Sequence, residues 1–212
     1  MIINTKELQI FDISMPISYR MPVYKGRESK RPIISIDSDF DSGSTFETRL
    51  ELNLHTGTHL DTPKHMIPDG YTLEELKLAN VVTECKVFDL TSVKDKITEK
   101  DLAGLDIKEG DFILLKTRNS FEDILESDFI YVSSDGADYL ARLKIKGVGI
   151  DSLGIERNQP YHETHISLFN ANIMILEGLM LRNVEEGEYL LHAAPILIPG
   201  AEAAPVRAYL IK

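Results

Sequence analysis

The sequence predicts a mixed α/β fold in which strands outnumber helices, and three observations carry that reading. Residues 46–54 alternate one by one: Phe46, Thr48, Leu50, Leu52 and Leu54 share one side, while Glu47, Arg49, Glu51 and Asn53 share the other. That period of two marks a strand with one apolar face. Short apolar runs then recur at 111–117, 147–151 and 173–176, too brief for ordinary helices. Their order with the helical segments is not a regular βαβ alternation, so a central mixed sheet or barrel-like β core flanked by helices is expected rather than a doubly wound sheet.

The remaining elements follow in order. Residues 81–90 form an apolar-rich strand. Thr98 with Asp101 opens a helix that ends near Gly104. Ser134 or Asp135 caps a helix running to about Lys144 and closed by Gly147. Residues 162–169 read as a short helix, and 173–176 as a buried strand ending at Glu177. Residues 189–198, broken at Pro195, and 205–211 are strand-like.

At 212 residues, with no linker-like Pro-, Ser- or Gly-rich tract, the chain suits a single domain spanning 1–212. A net charge of −11 argues against a nucleic-acid partner, which needs clustered Lys and Arg. The basic stretch Lys25-Gly-Arg27-Glu-Ser-Lys30-Arg31 is short and interrupted, and reads as a solvated loop. No run approaches about 18 uninterrupted apolar residues, so no membrane partner is expected. The opening residues mix polar with apolar side chains, unlike a signal peptide, and a cytoplasmic location is expected. Cys85 is the single cysteine and falls in an apolar strand with no activating base nearby, so it reads as a buried, inert thiol.

The most informative segment is 55–65, His-Thr-Gly-Thr-His-Leu-Asp-Thr-Pro-Lys-His, which holds three of the six histidines. Imidazole nitrogen and carboxylate oxygen are preferred ligands of zinc and its divalent neighbours. His59 and Asp61, two apart on extended backbone, share a side. Gly57 lets the chain turn so that His55 can join them. Pro63 stops a central strand, which puts His65 on a loop past the ligands. A solvated His-rich loop is the bland alternative, but it leaves unexplained why an amphipathic strand delivers the cluster. Three ligands leave a divalent ion with open positions, as catalytic sites do.

His55-x-Gly57-Thr58-His59-x-Asp61-x-Pro63-x-His65 resembles the motif of the cyclase-like metal-dependent amidohydrolases, which include bacterial kynurenine formamidase and isatin hydrolase. Phe11-Asp-Ile-Ser-Met-Pro-Ile17, Ile175-Leu-Glu-Gly-Leu179 and Pro199-Gly-Ala-Glu-Ala-Ala-Pro205-Val-Arg-Ala208 are similar to other segments of that family. The resemblance implies a swivelling β/β/α type of fold. It also implies that His165 and Glu177, at the family's twelve-residue interval, join His55, His59 and Asp61 around one or two divalent ions. Zinc is the first expectation and manganese the alternative. His162, three residues from His165, stands as a weaker candidate; His162-Glu-Thr-His165 is one residue short of the zincin spacing. His192, in an apolar strand, reads as structural.

The activity implied is hydrolysis of a formamide, cyclic amide or related small acyl substrate by metal-activated hydroxide. His65 would be the catalytic acid–base that passes a proton to the leaving nitrogen. A ring-closing cyclase or dehydratase-type lyase on the same metals is the alternative, and a non-catalytic metal-binding protein the third reading. The chain has no tryptophan, and its segment 19–26 departs from the Trp-containing loop common in kynurenine formamidases, so Tyr19 or Tyr24 is expected to line the pocket instead, with a structural surface tyrosine as the equal alternative. The resemblance further implies a homo-oligomer, dimer or tetramer.

Overall fold

The computed structural model describes residues 8–212; the polar–apolar opening at residues 1–7 lies outside the described residues. The strands in chain order are β1 (Ile10–Asp12), β2 (Ile33–Ser38), β3 (Glu47–Glu51), β4 (His59–Asp61), β5 (Val82–Asp89), β6 (Lys96–Ile97) and β7 (Phe112–Lys116). They continue as β8 (Tyr131–Val132), β9 (Gly147–Ile150), β10 (Met174–Glu177), β11 (Gly187–His192), β12 (Ala203–Pro205) and β13 (Tyr209–Ile211). The helices are α1 (Glu99–Leu102), α2 (Ser134–Leu143) and α3 (Glu163–Asn170). Among the described residues no helix is long and apolar enough to cross a membrane.

Nine strands form one mixed sheet in the order β1-β13-β11-β5-β7-β9-β10-β4-β12. The centre, β5-β7-β9-β10, is parallel, and the flanks are antiparallel. β12 and β13 stand seven positions apart in this order, which in a flat sheet is about 34 Å. Yet only residues 206–208 separate them in sequence, a link that reaches at most about 14 Å from Pro205 to Tyr209. The sheet must therefore curl on itself, and the bridge between Pro195 and Val206 helps to tie the curl.

Both faces of the central strands are covered. Along β7, Ile113 and Leu115 join the cluster beneath α2 and α3, while Phe112 and Leu114 join the cluster on the opposite face. This is why the β7 run is apolar throughout rather than alternating. β9 accommodates its large neighbours with glycine: a Cβ on Gly147 would lie 2.3 Å from the Phe112 ring, and one on Gly149 2.5 Å from Leu114. Cys85 is buried in β5, and burial pushes its thiol up to about 12, in keeping with an inert side chain.

The amphipathic run at 46–54 behaves differently from the sequence expectation. β3 pairs only with β2, in a separate two-stranded sheet, and its residues are exposed on both sides. Ile34 pairs with Leu50 and Ile36 with Thr48 across this hairpin, so the apolar residues of the two strands stand side by side on one face that stays largely exposed. β3 also stops before His55, and the chain turns through Asn53, whose side chain accepts from the His55 amide at 3.2 Å. The strand-like reading of 205–211 divides as well, into β12 and β13 on opposite flanks of the sheet. α1 carries the expected capping box between Thr98 and Asp101.

Candidate metal centre

The site lies where the helix-side face of the curled sheet changes from apolar to polar. In β10, Ile175 belongs to the cluster beneath the helices, and Glu177 is two residues further on the same face. β4 lies antiparallel beside it, pairing His59 with Glu177 and Asp61 with Ile175. His59, Asp61 and Glu177 therefore share a face, while Leu60 points into the opposite cluster. Two glycine turns permit this close packing. Gly57 and Gly178 both have positive φ, +76° and +70°, and a Cβ on Gly178 would sit 2.3 Å from the Gly57 carbonyl oxygen.

The five residues expected as ligands come together around Asp61. Its Oδ1 lies 3.1 Å from His55 Nδ1 and 3.4 Å from His59 Nε2, and its Oδ2 lies 3.9 Å from His165 Nε2. Glu177 lies 3.3 Å from His59 Nε2 through Oε2 and 3.5 Å from His165 Nε2 through Oε1. His59 donates from Nδ1 to the Gly57 carbonyl at 2.9 Å, which aims Nε2 at the carboxylates. Glu177 Oε1 also accepts from the Ile155 amide.

His65 sits on a 3-10 turn at Pro63–His65, past the strand, as the proline implied. Its ring centroid is 4.1 Å from that of His55 and 5.6 Å from that of His165. Burial pushes its pKa down to about 4, so the imidazole is neutral at physiological pH.

Two acidic residues that sequence reasoning did not single out complete the arrangement. Buried Glu156 hydrogen-bonds His162 Nδ1, accepts from the His165 amide at 3.2 Å, and lies 2.9 Å from His165 Nδ1. Glu202 meets His55 Nε2 at 3.0 Å. The available signals were weak: Glu156 follows a buried strand after Gly154, and Glu202 lies within the Pro199–Ala208 resemblance. His162 meets the site through Glu156 and through the His165 ring, 6.5 Å away between centroids, and is itself largely exposed. His192 stands apart on β11, stacked on Tyr209 at 4.6 Å.

The donor set fits a divalent cation. Asp61 is fully buried, yet neither of its oxygens has a hydrogen-bond partner, and His59 Nε2 is likewise unpartnered. Leaving a buried carboxylate unsatisfied costs several kcal/mol, about the scale of a lost charged hydrogen bond or more. A cation would satisfy all three atoms. Ligand-competent atoms gather in the groups His55–Asp61–His65 and His59–Asp61–Glu177, with Asp61 common to both, and in a third group, Glu156–His162–His165.

A cavity of about 480 Å³ opens onto these residues, walled by Tyr24, Leu153, Ile166 and Tyr161. Tyr24 thus lines the cavity, whereas Tyr19 is 64% exposed and outside it.

Residues 11–157 match the family model described as "Putative cyclase". A solved structure of a "predicted metal-dependent hydrolase" from Bacillus stearothermophilus is 48% identical, with a TM-score of 0.88 over 96% of this chain and 98% of that one. The kynurenine formamidase of Salinibacter ruber is 30% identical over 96% of this chain and 97% of its own length. Isatin hydrolase A from Labrenzia aggregata, 22% identical, shares the fold at a TM-score of 0.83, over 96% of this chain and 93% of that one. With a match that spans the histidine motif and relatives aligned end to end, the chain belongs to the Cyclase family.

Proposed function

We propose that this chain is a metal-dependent hydrolase of a formamide, cyclic amide or related small acyl bond, similar in activity to an arylformamidase. The observation that carries the reading is the buried Asp61 carboxylate, unpartnered at both oxygens and ringed by three histidines beneath an open cavity. The names of the Salinibacter ruber and Bacillus stearothermophilus relatives support it.

His55, His59, Asp61, His165 and Glu177 are the residues that would hold the metal, zinc or manganese, as one ion or two. The N/O donor set without thiolate suits either metal. When bound, a divalent cation supplies Lewis-acid polarisation of a carbonyl and a nucleophile at neutral pH.

The chain's own residues supply the rest. The apolar wall of Leu153 and Ile166 limits water around a bound acyl group. His65 lies beside His55; burial works against its charged form, but Asp61 and Glu177 favour it, so its ring can take a proton transiently and return it to the departing amine nitrogen. The His59 and His165 rings are held by Gly57 and Glu156, so their Nε2 atoms stay aimed inward. The resemblance to homo-oligomers also has support: an isolated hairpin is marginal in water, and Ile34, Ile36 and Leu50 on β2 and β3 are about half exposed, a face that a second copy would cover.

The test pairs metal analysis with kinetics for His65→Ala, using N-formylkynurenine, isatin and simple lactones as substrates. The variant should retain its metal and lose about 100-fold or more in turnover. Loss of metal from the variant would make His65 a ligand. Less than one metal per chain in the metal-replete wild type would sink the reading altogether.

A further inference from the structure

The basic stretch Lys25-Gly-Arg27-Glu-Ser-Lys30-Arg31 splits into two roles in the folded chain. Arg31 is a staple: it donates to the Met21 carbonyl at 2.8 Å and to Glu28 at 2.9 Å, and lies 3.6 Å from Glu126. Glu126 in turn accepts from the Val23 amide at 3.1 Å. Two short 3-10 turns, Tyr24–Gly26 and Glu28–Lys30, fix the backbone between these anchors. The segment is thus anchored through Arg31, while Lys25, Arg27, Glu28 and Ser29 are exposed, as expected of a solvated loop.

Arg27 and Lys30 face the cavity, alongside His55, His65 and His165. Lys30 is half-buried and donates to Asn53 Oδ1 at 2.7 Å. Among the described residues the Arg27 guanidinium has no ion-pair partner, although the neighbouring Arg31 has two. Burial and then the nearby Arg27 charge push the Lys30 ammonium down, while Asp61 and Glu202 pull the other way. Tyr24 registers the same layout. Burial, Glu156 and Glu177 push its phenol up, and Arg27 opposes them; the ring lines the same cavity as all three residues. A protein with a net charge of −11 therefore carries two adjacent cations, incompletely neutralised, at the wall of its reaction cavity. Like charges placed together there are unfavourable unless an anion joins them.

We propose that Arg27 and Lys30 form a carboxylate-binding subsite, which would orient a compound that carries its carboxylate beside the scissile bond. The assignment of a scissile bond rests on the hydrolase reading above; the anion subsite itself does not. The body of such a compound would lie against Tyr24 and Tyr161, the latter 81% exposed and so free to close on a ring.

The test compares 2-acetamidobenzoate with its neutral twin acetanilide, by calorimetry on the metal-loaded protein. The carboxylate probe should bind about tenfold more tightly, and Arg27→Gln and Lys30→Gln should each remove most of that difference while changing acetanilide by about twofold or less. Arg27→Lys should restore part of it, and added salt should erode it. Equal binding of the two probes, no measurable binding of the anionic one, or a preference that survives both substitutions would overturn the subsite. Turnover of 2-formamidobenzoate against formanilide separates the two readings. If neither is cleaved while the charge-dependent binding holds, the hydrolase reading falls and the subsite stands. If both are cleaved alike and bind alike, the subsite falls and the hydrolase reading stands.

Discussion

His59 and Glu177 are register partners on adjacent antiparallel strands, and their side chains meet with Nε2 3.3 Å from Oε2. Neither side chain is more than a few per cent exposed, so the pair cannot rely on water to moderate its charge. Burial works to lower the His59 pKa, but Asp61 and Glu177 outweigh it and raise it to about 9. His165 follows the same balance with Glu156 and Glu177, reaching about 10. Burial also opposes ionisation of Glu177, and here His165 and His59 prevail, holding the carboxylate well below its usual range. Without metal, then, two buried imidazolium ions neutralise the acidic floor.

A metal must displace those protons, because only neutral imidazole is a ligand. Loading the metal-free chain near pH 7.5 should release about two protons, visible as a dependence of the calorimetric heat on the ionisation enthalpy of the buffer. The same pKa values set the pH dependence of metal-free stability. Histidines raised in the folded state stabilise it fully below about pH 6.5, the unfolded value, and that stabilisation is lost as pH rises through about 9 and 10. The lowered Glu177 stabilises above the ordinary carboxylate range and ceases to do so as pH falls through its depressed value. The Tm of the metal-free chain should therefore fall as pH rises from about 6.5 to about 10, and the loaded chain should show no such fall. A flat Tm in both forms would show that these imidazoles are not protonated.

Glu156 is the second test. It is buried, spans His162 and His165, and orients the latter from both its ring and its amide. Glu156→Gln keeps the shape and removes the charge, and should weaken metal affinity about 10- to 100-fold with the fold intact. His162→Ala, which removes the exposed side of the same contact, should cost less. Competition with a chelator followed by elemental analysis measures both. Wild-type affinity in Glu156→Gln would reduce the residue to packing.

What was legible in the sequence is what short-range rules can carry. The period of two placed His59 and Asp61 on one side, Pro63 stopped the strand ahead of His65, and the Thr98–Asp101 capping box opened α1. Long-range pairing was not legible. The 46–54 alternation has the same appearance whether its apolar face meets a core or stays open on a two-stranded hairpin, and only the pairing with β2 decides. Residues 205–211 hide a passage between two flanks of one sheet, which requires knowing that the sheet curls. Glu156 and Glu202 are ordinary acidic residues until the fold brings them to histidines more than local distances away in the chain or outside the motif. The choice of His165 and Glu177 came from family resemblance; periodicity alone did not separate His165 from His162.

The third test concerns the crossing that lets β4 approach β10. Gly178 has φ +70°, donates its amide to the Ser152 carbonyl at 2.7 Å, and accepts from Thr58 Oγ1 at 2.6 Å. A methyl group there would lie 2.3 Å from the Gly57 oxygen and 2.7 Å from the Gly57 carbonyl carbon, both rigid backbone atoms. Gly178→Ala therefore combines left-handed strain, about 1–2 kcal/mol, with overpacking of about 1–3 kcal/mol. Gly110 separates the two contributions: its φ is +82°, but nothing lies within 4 Å of a Cβ there. Gly110→Ala should cost the strain alone, about 1–2 kcal/mol, and leave metal content unchanged. Gly178→Ala should cost about 3 kcal/mol and lower metal occupancy, because relief of the clash requires β4, with His59 and Asp61, to move from Glu177. Urea unfolding of the metal-free variants gives the stability difference, and equal losses at the two positions would show that the close approach of the two turns contributes nothing.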